Sequence, residues 1–246
     1  MQIPFEPVVL SYKINIHLVL EYLAFFIAFR YYVFLRKRAV DTIPSTNRLS
    51  IILGATLGAF LGSRIIAAFE NPVLISDASV LITVLNSKTI MGGLFGGLLG
   101  VELAKKVIGE KQSSGDLFVF PIILGIFIGR IGCFLSGIKE FTYGKETTLL
   151  IGMNLGDGLK RHPIALYELI FLVVLFLFLW NLKHRNLKHG LLFQYFMISY
   201  FGFRFCIEFL KPNIFFICGL SSIQILCLIC LLYYYKTILK IFKNAS

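Results

Sequence analysis

Long apolar stretches alternate with short polar punctuation along almost the whole chain. A helix rises about 1.5 Å per residue, so about 20 apolar residues cross a hydrocarbon core of about 30 Å. On that measure the pattern predicts seven spans, at 14–35, 49–70, 88–108, 116–138, 163–182, 190–210 and 214–235. Five glycines interrupt the third of these. The longest polar segment, 139–162, reads "KEFTYGKETTLLIGMNLGDGLKRH" and is too polar and glycine-rich to span. A loop of that length in a compact protein is more often functional than filler.

Composition sharpens this into an all-α integral membrane protein. The chain is 57% hydrophobic, and its mean hydropathy of +0.82 is foreign to soluble domains. With no second domain, heptad or repeat in the pattern, residues 1–246 are expected to form one polytopic membrane domain with an outer loop at 139–162. The opening apolar run is too long for a cleaved signal peptide and runs into the basic "RKR" at 36–38, so it is expected to stay as a permanent span.

Charge orients the bundle. Of the 24 lysines and arginines, fourteen fall on one side of the predicted spans and seven on the other. The richer side, which includes Arg36, Lys37, Arg38, Arg48, Lys105 and Lys106, is the cytoplasmic one by the positive-inside rule. That places the N-terminus outside and the C-terminus inside. The net charge of +11 then reflects orientation and contact with anionic membrane lipid, with no nucleic-acid partner implied.

The remaining three arginines cannot reach an interface. Arg64 lies in "LGSRIIAAFE" near Asn71 and Pro72, Arg130 in "GIFIGRIGCFLSG", and Arg204 in "YFGFRFCIEFL" together with Glu208. An isolated charge in the bilayer costs at least about 2.5–3.5 kcal/mol, so these residues imply ion pairs, a wet cavity or an anionic ligand. Arg204 and Glu208 stand four apart on one helical face and can pair. Arg64 and Arg130 have only Glu21, Glu70, Glu102 and Glu168 as intramembrane or helix-end acids. Structural ion pairs are one reading; the other is an arginine-lined pocket for a phosphate-bearing lipid, because guanidinium grips phosphate bidentately and keeps its charge when dehydrated. Glycines accompany these arginines in "GATLGAFLGSR", "MGGLFGGLLG" and "GRIGCFLSG". They permit either close helix packing or exposed backbone amides around a cavity.

Cysteines and histidines add less. Cys133, Cys206, Cys218, Cys227 and Cys230 all lie in or beside apolar spans. The C-x-x-C of Cys227 and Cys230 has no histidine or second pair to complete a metal site, so both read as apolar thiols. Cys133 follows Arg130 by three residues, where a guanidinium could activate it as a nucleophile or where it could simply pack. His184 and His189 belong to a cytoplasmic loop. His17, near the outer end of the first span, could face the site or the interface, with the interface favoured, and His162 is expected to cap or anchor the fifth span.

Taken in order, "GRIGCFLSG", "YGKETT", "RHPIALYE" and "GFRFCIEFLKP" resemble the motif series of the bacterial prolipoprotein diacylglyceryl transferases. The resemblance runs from the "GSR" of the second span to "KPN" after the sixth. It implies a multi-pass enzyme of the bacterial plasma membrane that moves the diacylglyceryl group of phosphatidylglycerol to the lipobox cysteine of a prolipoprotein signal peptide and releases glycerol phosphate. It implies Arg130, Arg204 and Glu208 as catalytic residues. Arg64, Gly92, Gly93, Gly129, Gly132, Cys133, Tyr143 and Gly144 are the implied substrate-binding set. His162, Pro163, Tyr167 and Glu168 match a segment expected to be mainly structural. No metal or redox cofactor is implied.

Five departures from the family pattern stand out. Met91 stands where the family carries a histidine before its double glycine, Cys133 replaces the signature asparagine, the G-E-L-Y-G segment is stretched to "GIKEFTYG", Lys211 replaces an arginine, and the first span lacks the aromatic pair around "HLVLEY". Without that histidine, Glu140, Glu208 or His162 could serve as base, water could take the thiol proton, or the pocket could persist with other chemistry. The competing function class is accordingly a lipid-binding protein or transporter of the same fold, or a transferase with another acceptor.

Overall fold

The computed structural model describes residues 3–9, 11–39, 41, 43–70, 87–185, 187–213 and 219–245. The start of the seventh predicted span, Cys218, Asn71 and Pro72 lie outside them. Among the described residues the chain is all-helical apart from two minimal hairpins. Strands β1 (Val8–Val9) and β2 (Tyr12–Lys13) pair antiparallel. Helix α1 (Ile16–Arg38) follows, then α2 (Ser45–Glu70), α3 (Ile90–Ile108) and α4 (Val119–Ser136). A second hairpin, β3 (Met153–Asn154) with β4 (Lys160–Arg161), sits in the long polar loop. The chain continues through α5 (Ile164–Lys183), α6 (Leu191–Ile207), α7 (Ser222–Tyr233) and α8 (Tyr235–Ala245).

Helix ends follow from local chemistry. The Asn15 side chain accepts from the Leu18 amide at 3.1 Å and starts α1, Thr89 does the same for α3 through Gly92 at 3.1 Å, and Ser221 with Gln224 forms a capping box at α7. Gly109, at φ +72°, closes α3 in the left-handed conformation that glycine adopts without steric cost.

Four helical stretches are long and apolar enough to cross a membrane: Ile16–Arg38, Ser45–Glu70, Asp116–Lys139 and Ile164–Lys183. A fifth is formed if α7 and the start of α8 count as one span bent by 69°. Their outer faces carry large apolar side chains in the open, such as Phe25, Phe26 and Phe29 on α1 and Leu57, Leu61 and Phe69 on α2. Lipid is the solvent such faces fit.

The helices sort into two compact units. The first holds residues 1–40, 115–196 and 209–212. Here α4 is central, packed on α1 and α5. Gly125 lets α4 approach Ala24 and Ala28 of α1, Tyr32 stacks on Phe118 at 4.4 Å, and Phe120 meets Phe176 and Trp180 of α5 edge-on at 5.2 and 5.6 Å. Asp116, just ahead of α4, caps α6 by accepting from the amides of Gly190 and Phe193 at 2.6 and 3.0 Å.

The second unit holds residues 41–114, 197–208 and 213–246 and is built on the α2–α3 pair. Gly54, Gly58 and Gly62 of α2 face Gly100, Gly96 and Gly92 of α3 in antiparallel register, each backbone against the other. A Cβ at any of these glycines would overlap a backbone carbonyl or a close neighbour on the facing helix, so the GxxxGxxxG spacing on both sides sets the helix separation. At the end of this pair Arg48 is only 2% exposed. It forks onto the Asp41 carboxylate and donates to the Ser114 carbonyl at 3.2 Å. Its sequence reading as an orienting cytoplasmic charge misses this buried lock.

Replacing Gly58 by Val is expected to cost about 1–3 kcal/mol through overpacking. Gly202→Ala on α6, where a Cβ would meet nothing within 4 Å, is expected to be neutral or mildly stabilising. Thermal unfolding of both variants in detergent micelles measures the difference.

Candidate active site

Arg130 sits in the last two turns of α4, 6% exposed. The neighbouring glycines explain how the chain makes room for it: nothing lies within 4 Å of the place a Gly129 Cβ would occupy, and Gly132 abuts His17 and Leu20 of α1. The guanidinium meets Glu168 of α5, fully buried, with Nε 2.8 Å from Oε1. One terminal nitrogen also donates to Cys133 Sγ at 3.7 Å. Glu168 lies in the segment assigned a mainly structural role, and the structure makes it the counter-ion of the central arginine.

On the other side of Cys133 stands His17, in the first turn of α1, which interacts with the thiol. Its Nε2 lies 4.0 Å from a carboxylate oxygen of both Glu21 and Glu140. His17 therefore neighbours the charged cluster, in line with the alternative that it faces the site. The missed signal was spacing: His17 and Glu21 are four apart on one helical face, as Arg204 and Glu208 are.

The loop 139–162 is tied to the same unit. Gly144 donates its amide to the His162 carbonyl at 2.9 Å, and a Cβ there would stand 2.5 Å from that of His162. Tyr143 packs edge-on against Phe141 and carries the Arg161 guanidinium 5.3 Å above its ring. Arg161 is held by Asp157 at 2.6 Å and Glu146 at 3.7 Å; the Arg161 hydrogen bond holds the Asp157 carboxyl below the usual carboxylate range. His162 Nδ1 is 3.1 Å from the Tyr167 hydroxyl, the anchoring role expected of it. Lys211, 3% exposed, places its ammonium 4.8 Å above the Phe141 ring.

The second unit carries the other anticipated residues. Arg204 Nη2 donates to Glu208 Oε2 at 2.9 Å, the expected intrahelical pair. Asn213 clasps the same carboxylate through Oε1 at 2.8 Å. Arg64 donates to the Ser87 carbonyl at 2.7 Å and lies 5.3 Å above the Phe60 ring. Met91 is buried at the start of α3, 1% exposed. Gly92 is taken up by the contact with Gly62, while Gly93 stands 3.8 Å from Ala59 and Ser63 at its missing Cβ. The first unit thus brings Arg130, Gly129, Gly132, Cys133, Tyr143 and Gly144 together with Glu168 and His17. Arg64, Gly92, Gly93, Arg204 and Glu208 belong to the second.

Each unit buries an arginine anchored by a carboxylate, Arg130 by Glu168 in the first and Arg204 by Glu208 in the second. A guanidinium offers five N–H donors in a planar fork, so an arginine oriented by a carboxylate can present another edge to an anion.

Glu168→Ala is expected to destabilise the protein by about 3–5 kcal/mol, because it strands a buried cation. Pairing Arg130→Met with Glu168→Leu removes both charges and is expected to recover most of that loss. Unfolding midpoints of the single and double variants in detergent decide between these costs.

Comparison with known proteins identifies the family. The family model for prolipoprotein diacylglyceryl transferase matches residues 7–239. A phosphatidylglycerol–prolipoprotein diacylglyceryl transferase of Nitratidesulfovibrio vulgaris (strain DP4) is 36% identical over 171 residues, 65% of this chain and 61% of its own. Relatives of the same name from Rickettsia felis and from the Wolbachia of Brugia malayi are 34% and 32% identical. They are aligned over 72% and 71% of this chain and 69% and 66% of their own lengths. The chain thus spans a little under two thirds of the Nitratidesulfovibrio relative it matches.

Proposed function

Since the chain belongs to the prolipoprotein diacylglyceryl transferase family, we propose that it transfers the diacylglyceryl group of phosphatidylglycerol to the cysteine thiol of a prolipoprotein and releases glycerol phosphate. The observation that carries this reading is the pair of buried, carboxylate-anchored arginines at the positions of the family motifs: Arg130 with Glu168, and Arg204 with Glu208.

The chemistry asks for what these residues offer. The thiolate sulfur attacks the lipid's glycerol carbon, a C–S bond forms, and the C–O bond to phosphate breaks with its electron pair leaving on the phosphate oxygen. Negative charge grows on the departing glycerol phosphate, and cationic donors fixed beforehand stabilise it more than they stabilise the bound lipid. Arg130 and Arg204 take this role. Glu168 and Glu208 orient the guanidinium planes so that little reorganisation is left for the moment of reaction. Arg64, Gly129, Tyr143 and Gly144 are the further residues this reading assigns to substrate binding.

The whole chain acts as one polytopic domain of seven spans in the bacterial plasma membrane, with the N-terminus and the 139–162 loop on the outer side, where a secreted precursor presents its cysteine. The charge asymmetry of the lysines and arginines supports this orientation.

The test is mass spectrometry of purified protein in phosphatidylglycerol nanodiscs with a lipobox peptide. Wild type is expected to add a diacylglyceryl mass to the peptide cysteine and to release glycerol phosphate. Arg130→Lys keeps a charge for Glu168 but loses the planar fork, and its rate is expected to fall about 10²–10³-fold. Undiminished transfer by that variant would remove Arg130 from the reaction, and phosphatidylglycerol binding without any transfer by wild type would leave a lipid-binding protein in place of the enzyme.

A further inference from the structure

Resting on that reading, we infer that His17 is the proton acceptor for the substrate thiol, taking over a task that Met91 cannot perform. A thioether has no basic nitrogen, so a chain that alkylates a thiol needs another proton acceptor, and the thiolate is the nucleophile.

Elimination among the other candidate bases points to His17. His162 shares its Nδ1 with the Tyr167 hydroxyl. Glu208 is committed to Arg204 and Asn213, and Glu168 to Arg130; a carboxylate held by a cation or by amide donors is a poor base. Glu140 has a side chain 35% exposed and stands beside the imidazole. His17 differs from all of these. Its side chain is 15% exposed, and its Nδ1 is shut off from solvent with no hydrogen-bond partner of ordinary length among the described residues.

The surroundings give that nitrogen its chemistry. Among the described residues, the charged or titratable groups found beside the ring are Glu21 on α1 itself, Cys133 on α4 and Glu140 in the following loop. Two carboxylates 4.0 Å from Nε2 favour the tautomer with the proton on Nε2 and compensate the imidazolium that forms when Nδ1 takes a second proton. This is the ordering of acid, imidazole and sulfur found wherever a carboxylate orients a histidine toward a nucleophile. Cys133 places a native thiol beside both His17 and Arg130, so the surroundings are compatible with sulfur. A Cβ at Gly132 would press on the His17 Cα at 3.2 Å, so the glycine lets α4 approach α1 beside the imidazole.

The step balances as follows. The substrate S–H proton passes to His17 Nδ1, the sulfur forms its bond to the glycerol carbon, and the C–O bond breaks toward phosphate. The imidazolium then returns its proton to the released phosphate monoester, whose second ionisation lies near pH 6. No oxidant, metal or further reactant is consumed.

His17→Gln keeps a similar volume and hydrogen-bonding capacity but cannot accept the proton. Single-turnover transfer to the lipobox peptide, measured from pH 5 to 9 in phosphatidylglycerol nanodiscs, is expected to be about 10²–10⁴-fold slower in this variant. In wild type the rate rises as pH climbs through the histidine range and His17 loses its proton, then levels. In the variant that inflection is expected to vanish and the rate to keep rising toward the ordinary thiol range near 8.5. A uniform fall that preserves the wild-type inflection means a structural role and overturns the proposal, as does an undiminished rate. Should Gln disturb the fold, His17→Asn with added imidazole in the assay supplies the second reading: rescue by imidazole supports the base, and a folded variant that imidazole leaves unchanged overturns it. Absence of transfer by wild type overturns the enzymatic reading itself, an outcome separate from transfer that ignores residue 17.

Discussion

A charge that cannot reach water must meet its opposite inside the protein, and the ion pair of Arg130 with Glu168 is where this constraint acts on the first unit. Desolvating both ions costs several kcal/mol each, and only a short, well-oriented contact returns most of it. The 2.8 Å approach therefore does more than hold two helices together. It fixes the rotation of α4 against α5, because any other rotation would leave a bare charge against hydrocarbon. With that rotation set, Gly132 and Cys133 are turned toward α1, and Gly129 stands beside open space. Net stability is a weak reason to keep such a pair, since apolar residues of similar size would fill the same volume at no electrostatic cost. A phosphate-handling role gives the stronger reason.

The second unit solves the same problem with different materials. Arg204 takes its partner from its own helix, and Asn213 secures the far oxygen of Glu208. Arg48 takes a carboxylate seven residues earlier and a loop carbonyl. Between these charges, the facing glycines of α2 and α3 bring two backbones into contact with no side chain between them. In lipid, where apolar side chains gain little by leaving one hydrocarbon for another, this closeness is what holds two helices together.

How much of this could be read from the sequence depended on how far apart the partners stand in the chain. The Arg204–Glu208 pair was legible because helical geometry alone puts residues four apart on one face. The three membrane-embedded arginines stood out once the other lysines and arginines had been sorted to the two interfaces. Arg130's partner was not legible, since Glu168 is 38 positions away on another helix and four acids competed for the role. The glycine runs announced close packing or a cavity wall, and only the register of Gly54, Gly58 and Gly62 against Gly100, Gly96 and Gly92 selects packing for most of them. His17 stayed open between site and interface because a histidine at the start of a span is at home in either; the contact that points to the site, with Cys133, is over a hundred residues away. The same long-range contact hides Arg48, whose burial depends on a carbonyl at Ser114. The bend between α7 and α8 has neither proline nor glycine to announce it.

The two halves of the chemistry make opposite electrostatic demands, and this explains why the first unit keeps so many charges in so little space. Stabilising the departing phosphate calls for net positive charge, which would also make an imidazole reluctant to accept a proton. Glu168 limits the field of Arg130, while Glu21 and Glu140 supply negative charge on the far side of His17. Arg130 and His17 both neighbour Cys133, and the carboxylates Glu168, Glu21 and Glu140 offset their positive charge. Burial strengthens the Arg130–Glu168 contact, while His17, Glu21 and Glu140 stay partly exposed beside it.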